Sequence, residues 1–179
     1  AAGTSRPTSR MLSGIPAAQP FNPRSGGDGS LSGRPMDRTI RPLAEMGAHI
    51  EGRQISGGSG SFPPLTIHGR HLHGIDYTLP MASAQVKTCV LFAGLYADGT
   101  TTVRESIRTR DHSDLALREF GADITRAGGA ISIEGKPVLP GRELVVPGDL
   151  SSAAFFLVAA MILPGSELTL QAVGLNPTR

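Results

Sequence analysis

Apolar positions in this chain follow two periods, and the changes between them mark out its elements. At helical spacing, Ile40, Leu43, Ala44 and Met46 form one face of a short helix. Arg34-Pro35 is expected to open it, proline suiting the first helical position, and Gly47 to stop it just past the end. A second apolar stripe, Val86, Cys89, Val90 and Ala93, runs along a helix from Ala84 to about Ala97. Ser83 stands where an N-cap is needed and Gly99 where the chain must turn. Further helices are predicted over 113–120 and 152–163. Short strands are predicted over 49–51, 65–68, 75–79 and 100–105, the last rich in β-branched residues, with a loop over 52–61 between the first two.

The pattern repeats. Leu43-Ala44-Glu45-Met46-Gly47-Ala48-His49-Ile50 returns roughly seventy positions later as Leu117-Arg118-Glu119-Phe120-Gly121-Ala122-Asp123-Ile124. Leu65-Thr66-Ile67-His68-Gly69 returns as Ile131-Ser132-Ile133-Glu134-Gly135, and Gly99-Thr100-Thr101-Thr102-Val103 is answered by Gly165-Ser166-Glu167-Leu168-Thr169. That period is too long for a solenoid. It describes a small α/β module of order β-α-β-α-β-β used more than once.

Composition narrows the partners. The 179 residues hold 23 Gly and 14 Pro, a turn-rich globular chain. No apolar run approaches the ~18 residues of a membrane span, and no signal-peptide pattern stands at the start, so no membrane is expected. The single cysteine rules out an internal disulfide and fits a reducing, cytoplasmic setting. A net charge of +2 with 4% aromatics gives no surface for nucleic acid. All 17 basic residues except Lys87 and Lys136 are arginines, whose planar fork suits carboxylate and phosphate.

The candidate chemistry stands at helix starts. Arg34 precedes one helix, Ser83-Ala84-Gln85 opens the next, and Arg110-Asp111-His112-Ser113 opens a third. Helix N-termini offer unpaired amides and the positive end of a dipole, so they attract anions. Taken singly, Ser83 is an ordinary N-cap, and Arg34 and Arg110 are ordinary solvated arginines. Stacked repeats would bring a hydroxyl, an amide and two guanidinium groups onto one phosphate- or carboxylate-sized target.

These residues also stand in long ordered motifs. Gly27-Asp28-Gly29-Ser30-Leu31-Ser32-Gly33-Arg34-Pro35-Met36, Met81-Ala82-Ser83-Ala84-Gln85-Val86-Lys87 and Thr109-Arg110-Asp111-His112-Ser113 resemble signatures of the 5-enolpyruvylshikimate-3-phosphate (EPSP) synthase family, in its bacterial class II form. Ala2-Gly3-Thr4-Ser5 and Leu175-Asn176-Pro177-Thr178-Arg179 fit as well. The resemblance covers nearly the whole chain. It implies a two-lobed, inside-out α/β barrel of β-α-β-α-β-β units, three to a lobe. On that map residues 1–147 belong to the N-terminal lobe, with an incomplete first unit, and 148–179 begin a unit of the C-terminal lobe.

The implied reaction moves the enolpyruvyl group of phosphoenolpyruvate to the 5-hydroxyl of shikimate 3-phosphate, by addition and then loss of phosphate. The implied protein needs no cofactor and no metal, and is a monomer at full length. Carried over by position, Ser83, Ala84 through its backbone, Gln85 and Arg110 would hold shikimate 3-phosphate. The Gly3 amide, Arg34 and Gln85 would lie against phosphoenolpyruvate, the site glyphosate occupies in that family. The family's acid–base residues fall before Ala1 and after Arg179, so no catalytic residue is assigned here and the 179 residues alone are expected to be inactive.

The first loop, Gly3 to Leu12, is about three residues longer than the family pattern, leaving Arg6 or Arg10 to match its arginine; Met11-Leu12-Ser13-Gly14 favours Arg10. Pro16 interrupts the helix expected next. Cys89 lies on an apolar stripe and reads as a buried thiol. His68, His71 and His73 are close in sequence without an acid or cysteine at ligand spacing, so no metal is expected there. Two rival readings are a sister enzyme that transfers enolpyruvyl to UDP-N-acetylglucosamine, and a non-catalytic anion-binding module.

Overall fold

A computed structural model describes residues 5–55 and 60–179; Gly3 lies outside them. In order the elements are α1 (Arg6–Leu12), α2 (Gly14–Ala17), β1 (Arg24–Ser25), α3 (Gly29–Ser32), α4 (Asp37–Glu45), β2 (His49–Arg53), β3 (Phe62–His68), β4 (Asp76–Thr78), α5 (Ala84–Gly94), β5 (Thr100–Arg104), α6 (His112–Glu119), β6 (Ile124–Ala127), β7 (Ala130–Glu134) and α7 (Leu150–Ile162). The chain divides into two compact units, Ala1–Pro140 and Gly141–Arg179.

The first unit carries two sheets, ordered β1-β3-β2 and β4-β5-β7-β6. β4 and β5 run parallel, which requires a crossover, and α5 supplies it. β5 then pairs antiparallel with β7, and β7 with β6. The stretch from β4 to β7 is therefore a complete β-α-β-α-β-β module. Its helix–hairpin part is duplicated earlier: α4 leads into the antiparallel pair β2–β3 as α6 leads into β6–β7.

The duplication extends to the helix ends. The Ala48 amide donates to the Leu43 carbonyl (2.9 Å) and Gly47 to Ala44 (3.0 Å); Ala122 donates to Leu117 (2.9 Å) and Gly121 to Arg118 (3.0 Å). Gly47 and Gly121 have φ of 103° and 89°, the conformation that closes a helix this way and that side chains with a Cβ resist.

Helix α5 forms the floor of the core. Val86, Cys89, Val90 and Ala93 are buried as expected, but Lys87, Thr88, Leu91 and Gly94 are buried too. A helix covered on nearly all sides lies between layers, here α1, α2 and α4 together with the sheet strands β5 and β7. It ends at Gly94, short of the predicted Ala97. Leu43 in α4 and Met46 at its C-cap are fully buried, whereas Ala44 is exposed and Thr39 and Pro42 take the inner face. That helix starts at Asp37 with Met36 as its N-cap, so Pro35 does not occupy the first helical position.

Proline explains the break between α1 and α2. Pro16 has no amide to give the Leu12 carbonyl and its ring crowds that group, so α1 ends at Leu12 and a short second helix begins after Ser13. Gly14 then lies on the backbone of α5, where a Cβ would fall 2.1 Å from the Cys89 carbonyl oxygen. Gly14→Ala is expected to destabilise the full-length protein by at least about 2 kcal/mol through overpacking. An unchanged thermal midpoint would show that the two helices can separate freely. The Cys89 thiol is fully buried, and burial pushes its pKa up, as expected of a structural thiol.

In the second unit Asp149 caps α7, accepting from the Ser151 amide (3.2 Å), and Arg179 Nη2 donates to the same carboxylate (2.8 Å). Gly148 bridges Val173. α7 exposes Phe155, Phe156, Met161 and Ile162.

Candidate anion-binding site

The site starts at the first turn of α5. Ser83 adopts an extended conformation and its hydroxyl accepts the Val86 amide at 3.4 Å, the N-cap bond predicted from sequence. This leaves the early amides of α5, Ala84 and Gln85 among them, at the positive end of an 11-residue helix that cannot reorient because its flanks are buried. Gln85 is half-buried, and its Oε1 accepts from Arg10 Nη1 at 3.1 Å. Fixing the amide oxygen turns the Gln85 NH2 into the group left to donate.

Arg10 opens onto a cleft of about 680 Å³, whose lining also includes Arg34, Arg38, Arg41, Asp37, Tyr77 and Met81. Four arginines face one carboxylate there, and Asp37 is committed: its two oxygens accept the Ser61 amide at 3.1 and 3.2 Å. Burial, followed by Glu45, pushes the Tyr77 phenol up, so it stays a neutral wall of the cleft. The balance suits an anion with several oxygens. Another cavity, of about 590 Å³ and lined by Gln19, Arg70, His71 and Lys136, shares no residue with this one and contains none of the candidate substrate-binding residues.

Arg110 sits just before α6 with its side chain exposed, and it does not line the cleft. Its main chain is held on α5 by a buried lysine. Lys87 is fully buried, and its Nζ donates to the Arg110 carbonyl (2.8 Å) and to Asp114 Oδ2 (3.3 Å), and pairs with Glu105 Oε1 (3.5 Å). Arg126 Nη2 closes the group on the far side, 3.0 Å from Glu105 Oε2 and 2.9 Å from Asp114 Oδ2. Glu105 also accepts the Thr109 amide (3.3 Å) and hydroxyl. Thr88 and Ser113 share a 2.6 Å hydroxyl bond. The segment Glu105 to Asp114 is thus tied to one face of α5, one turn from Ser83-Ala84-Gln85. The wheel position carried the signal: Lys87 lies three residues before Val90 on the inward stripe, where a lone charge must be paired.

The family model described as EPSP synthase (3-phosphoshikimate 1-carboxyvinyltransferase) matches residues 1–179. The chain belongs to the EPSP synthase family. The 3-phosphoshikimate 1-carboxyvinyltransferase of Solibacter usitatus is 61% identical over 178 residues, and that of Pelotomaculum thermopropionicum 51% over 177, each across 99% of this chain. The crystal structure of EPSP synthase from Acinetobacter baumannii superposes with a TM-score of 0.87 at 49% identity, covering 99% of this chain and 39% of that one. The chain spans about 40% of the length of these relatives. The repeated-unit α/β architecture expected from the motifs is that of the EPSP synthase fold. Among the described helices, none is long and apolar enough to cross a membrane.

Proposed function

We propose that the full-length protein containing this chain transfers the enolpyruvyl group of phosphoenolpyruvate to the 5-hydroxyl of shikimate 3-phosphate and releases phosphate. The observation that supports this reading is the arginine-lined cleft beside the capped N-terminus of α5, joined to it by the Arg10–Gln85 bond. Two anionic substrates must be brought together without competing carboxylates, and such a surface supplies donors that are fixed before they bind.

In this assignment Ser83, Gln85, the Ala84 amide and Arg110 hold shikimate 3-phosphate, while Arg34 and the Gln85 amide group lie against phosphoenolpyruvate, with Gly3 completing that side. These groups bind and orient, bringing the acceptor's 5-hydroxyl against C2 of the enolpyruvyl group; proton transfer falls to residues elsewhere in the full-length protein. Residues 1–147 are read as part of the N-terminal lobe and 148–179 as the start of a unit of the second. The working protein is read as a cytoplasmic monomer.

Phosphate release by the full-length protein decides the reading. Turnover with phosphoenolpyruvate and shikimate 3-phosphate supports it; turnover with UDP-N-acetylglucosamine in its place, or with neither acceptor, overturns it. Arg110→Ala is expected to weaken shikimate 3-phosphate roughly ten- to a hundredfold, the loss of one charge-assisted hydrogen bond, with a smaller effect on phosphoenolpyruvate. Equal weakening of both substrates, measured as separate Michaelis constants, would remove Arg110 from the acceptor site.

A further inference from the structure

A second constellation lies on the opposite kind of surface, the outward face of the sheet β1-β3-β2. β2 and β3 are antiparallel, and their register sets His49 directly across from His68. Glu51 is two residues further along β2 and therefore on the same face. Its Oε1 lies 3.1 Å from His49 Nε2 and 3.5 Å from His68 Nε2. All three potential donor atoms lie within 4.8 Å of one another. The two rings stand 5.0 Å apart and tilted by 40°, so they are not stacked; both turn a nitrogen toward the same carboxylate oxygen.

We propose that His49, Glu51 and His68 form a binding site for a divalent transition-metal ion of the zinc class. Zinc–nitrogen and zinc–oxygen bonds of about 2.0–2.2 Å in a tetrahedron place neighbouring donor atoms about 3.4 Å apart, and the two measured separations from Glu51 lie either side of that value. His68 Nε2 is shut off from solvent, and the Glu51 oxygen beside it, at 3.5 Å, is too distant for a good hydrogen bond. A buried ring nitrogen in that state is costly unless something takes its lone pair, and a metal ion does so. His49 and Glu51 are exposed, which leaves a path for the ion and room for water at a fourth position.

The donor set selects the metal. Two imidazoles and one carboxylate, with no thiolate, suit zinc, nickel, copper or cobalt, whereas magnesium and calcium ask for oxygen. All three residues stand on paired strands, so the backbone already holds them on one face. The ion would clip β2 to β3 across the hairpin. In sequence His68 stands beside His71 and His73 with no acid at ligand spacing; Glu51 and His49 lie 17 and 19 positions away and are brought to it by sheet register alone.

The test is calorimetric titration of zinc chloride into the chelator-stripped full-length protein at neutral pH, with cobalt(II) absorption as a report of coordination number. One equivalent bound in the micromolar range, with the visible bands of four-coordinate cobalt, is expected. His68→Ala, His49→Gln and the surface change Glu51→Gln should each weaken binding at least about tenfold, while His71→Ala should leave it unchanged. Absence of a bound equivalent overturns the proposal. So does a wild-type affinity retained in His49→Gln or Glu51→Gln, exposed positions where folding is not at stake. Neither readout depends on enolpyruvyl transfer, so the site stands or falls apart from that reaction.

Discussion

Lys87→Met is expected to cost the full-length protein about 3–5 kcal/mol of folding stability, the penalty for removing one partner from a buried ion pair. The side chains of Lys87, Glu105 and Asp114 are at most 6% exposed. Two cations and two carboxylates balance in the group, so the substitution leaves two carboxylates with only Arg126 to meet them. The group has little slack: Oδ1 of Asp114 already lacks a hydrogen-bond partner among the described residues. Methionine nearly preserves the volume, which separates the loss of charge from the loss of packing. Urea unfolding checks the number, and a change below about 1 kcal/mol would mean that water or another cation takes over. The variant also frees the Arg110 carbonyl. If Lys87 positions that segment and the proposed transfer holds, the variant that still folds should show a raised Michaelis constant for shikimate 3-phosphate with a smaller change for phosphoenolpyruvate, a split that general destabilisation does not produce.

The largest loss of activity is expected from removing two arginines of the cleft together. Arg10→Ala with Arg34→Ala should lower kcat/KM of the full-length protein by about a hundredfold to ten-thousandfold, taking each charge-assisted contact as about 1.5–3 kcal/mol. Arg10 and Gln85 touch, so Arg10→Ala and Gln85→Ala should combine to less than the sum of their separate effects, since one bond cannot be lost twice. Arg10→Lys should rescue only part of the loss, because an ammonium group lacks the fork. Steady-state kinetics with each substrate varied in turn decide the matter. A double variant within threefold of wild type would move phosphoenolpyruvate out of this cleft.

What could be read from the sequence follows the range of the forces involved. The Ser83 cap, the glycines at positions 47 and 121 and the β-α-β-α-β-β order are set by neighbours a few residues apart, and the duplicated motif repeated the message. Arg34-Pro35 carries a good opening signal, yet α4 starts at Asp37, because the Met36 amide is bonded to the Ser61 carbonyl at 2.8 Å, a contact 25 residues distant. Spacing alone points Ala44 inward; packing turns Thr39 and Pro42 to the core instead. Of the candidate residues, Ser83, Ala84 and Gln85 stand out in the sequence because they are consecutive, and Arg34 because its motif is long. The quartet around Lys87 does not, since its members come from α5, the end of β5, α6 and β6. The His49–His68 pairing is likewise a matter of register, which no local pattern encodes.

The burial of α5 on nearly all sides has a consequence for how a ligand is received at its start. Local opening in a protein is cheapest where few apolar contacts hold an element down and most costly where many do. A helix with Cys89, Val90, Leu91 and Ala93 at 0% exposure belongs to the last part of this unit to open. The amides of its first turn therefore keep their directions through the fast fluctuations that move surface loops, and an arriving anion meets donors whose ordering entropy was lost during folding. Adaptation to different ligands is left to the long arginine side chains across the cleft, which can change rotamer while the helix beneath them stays still.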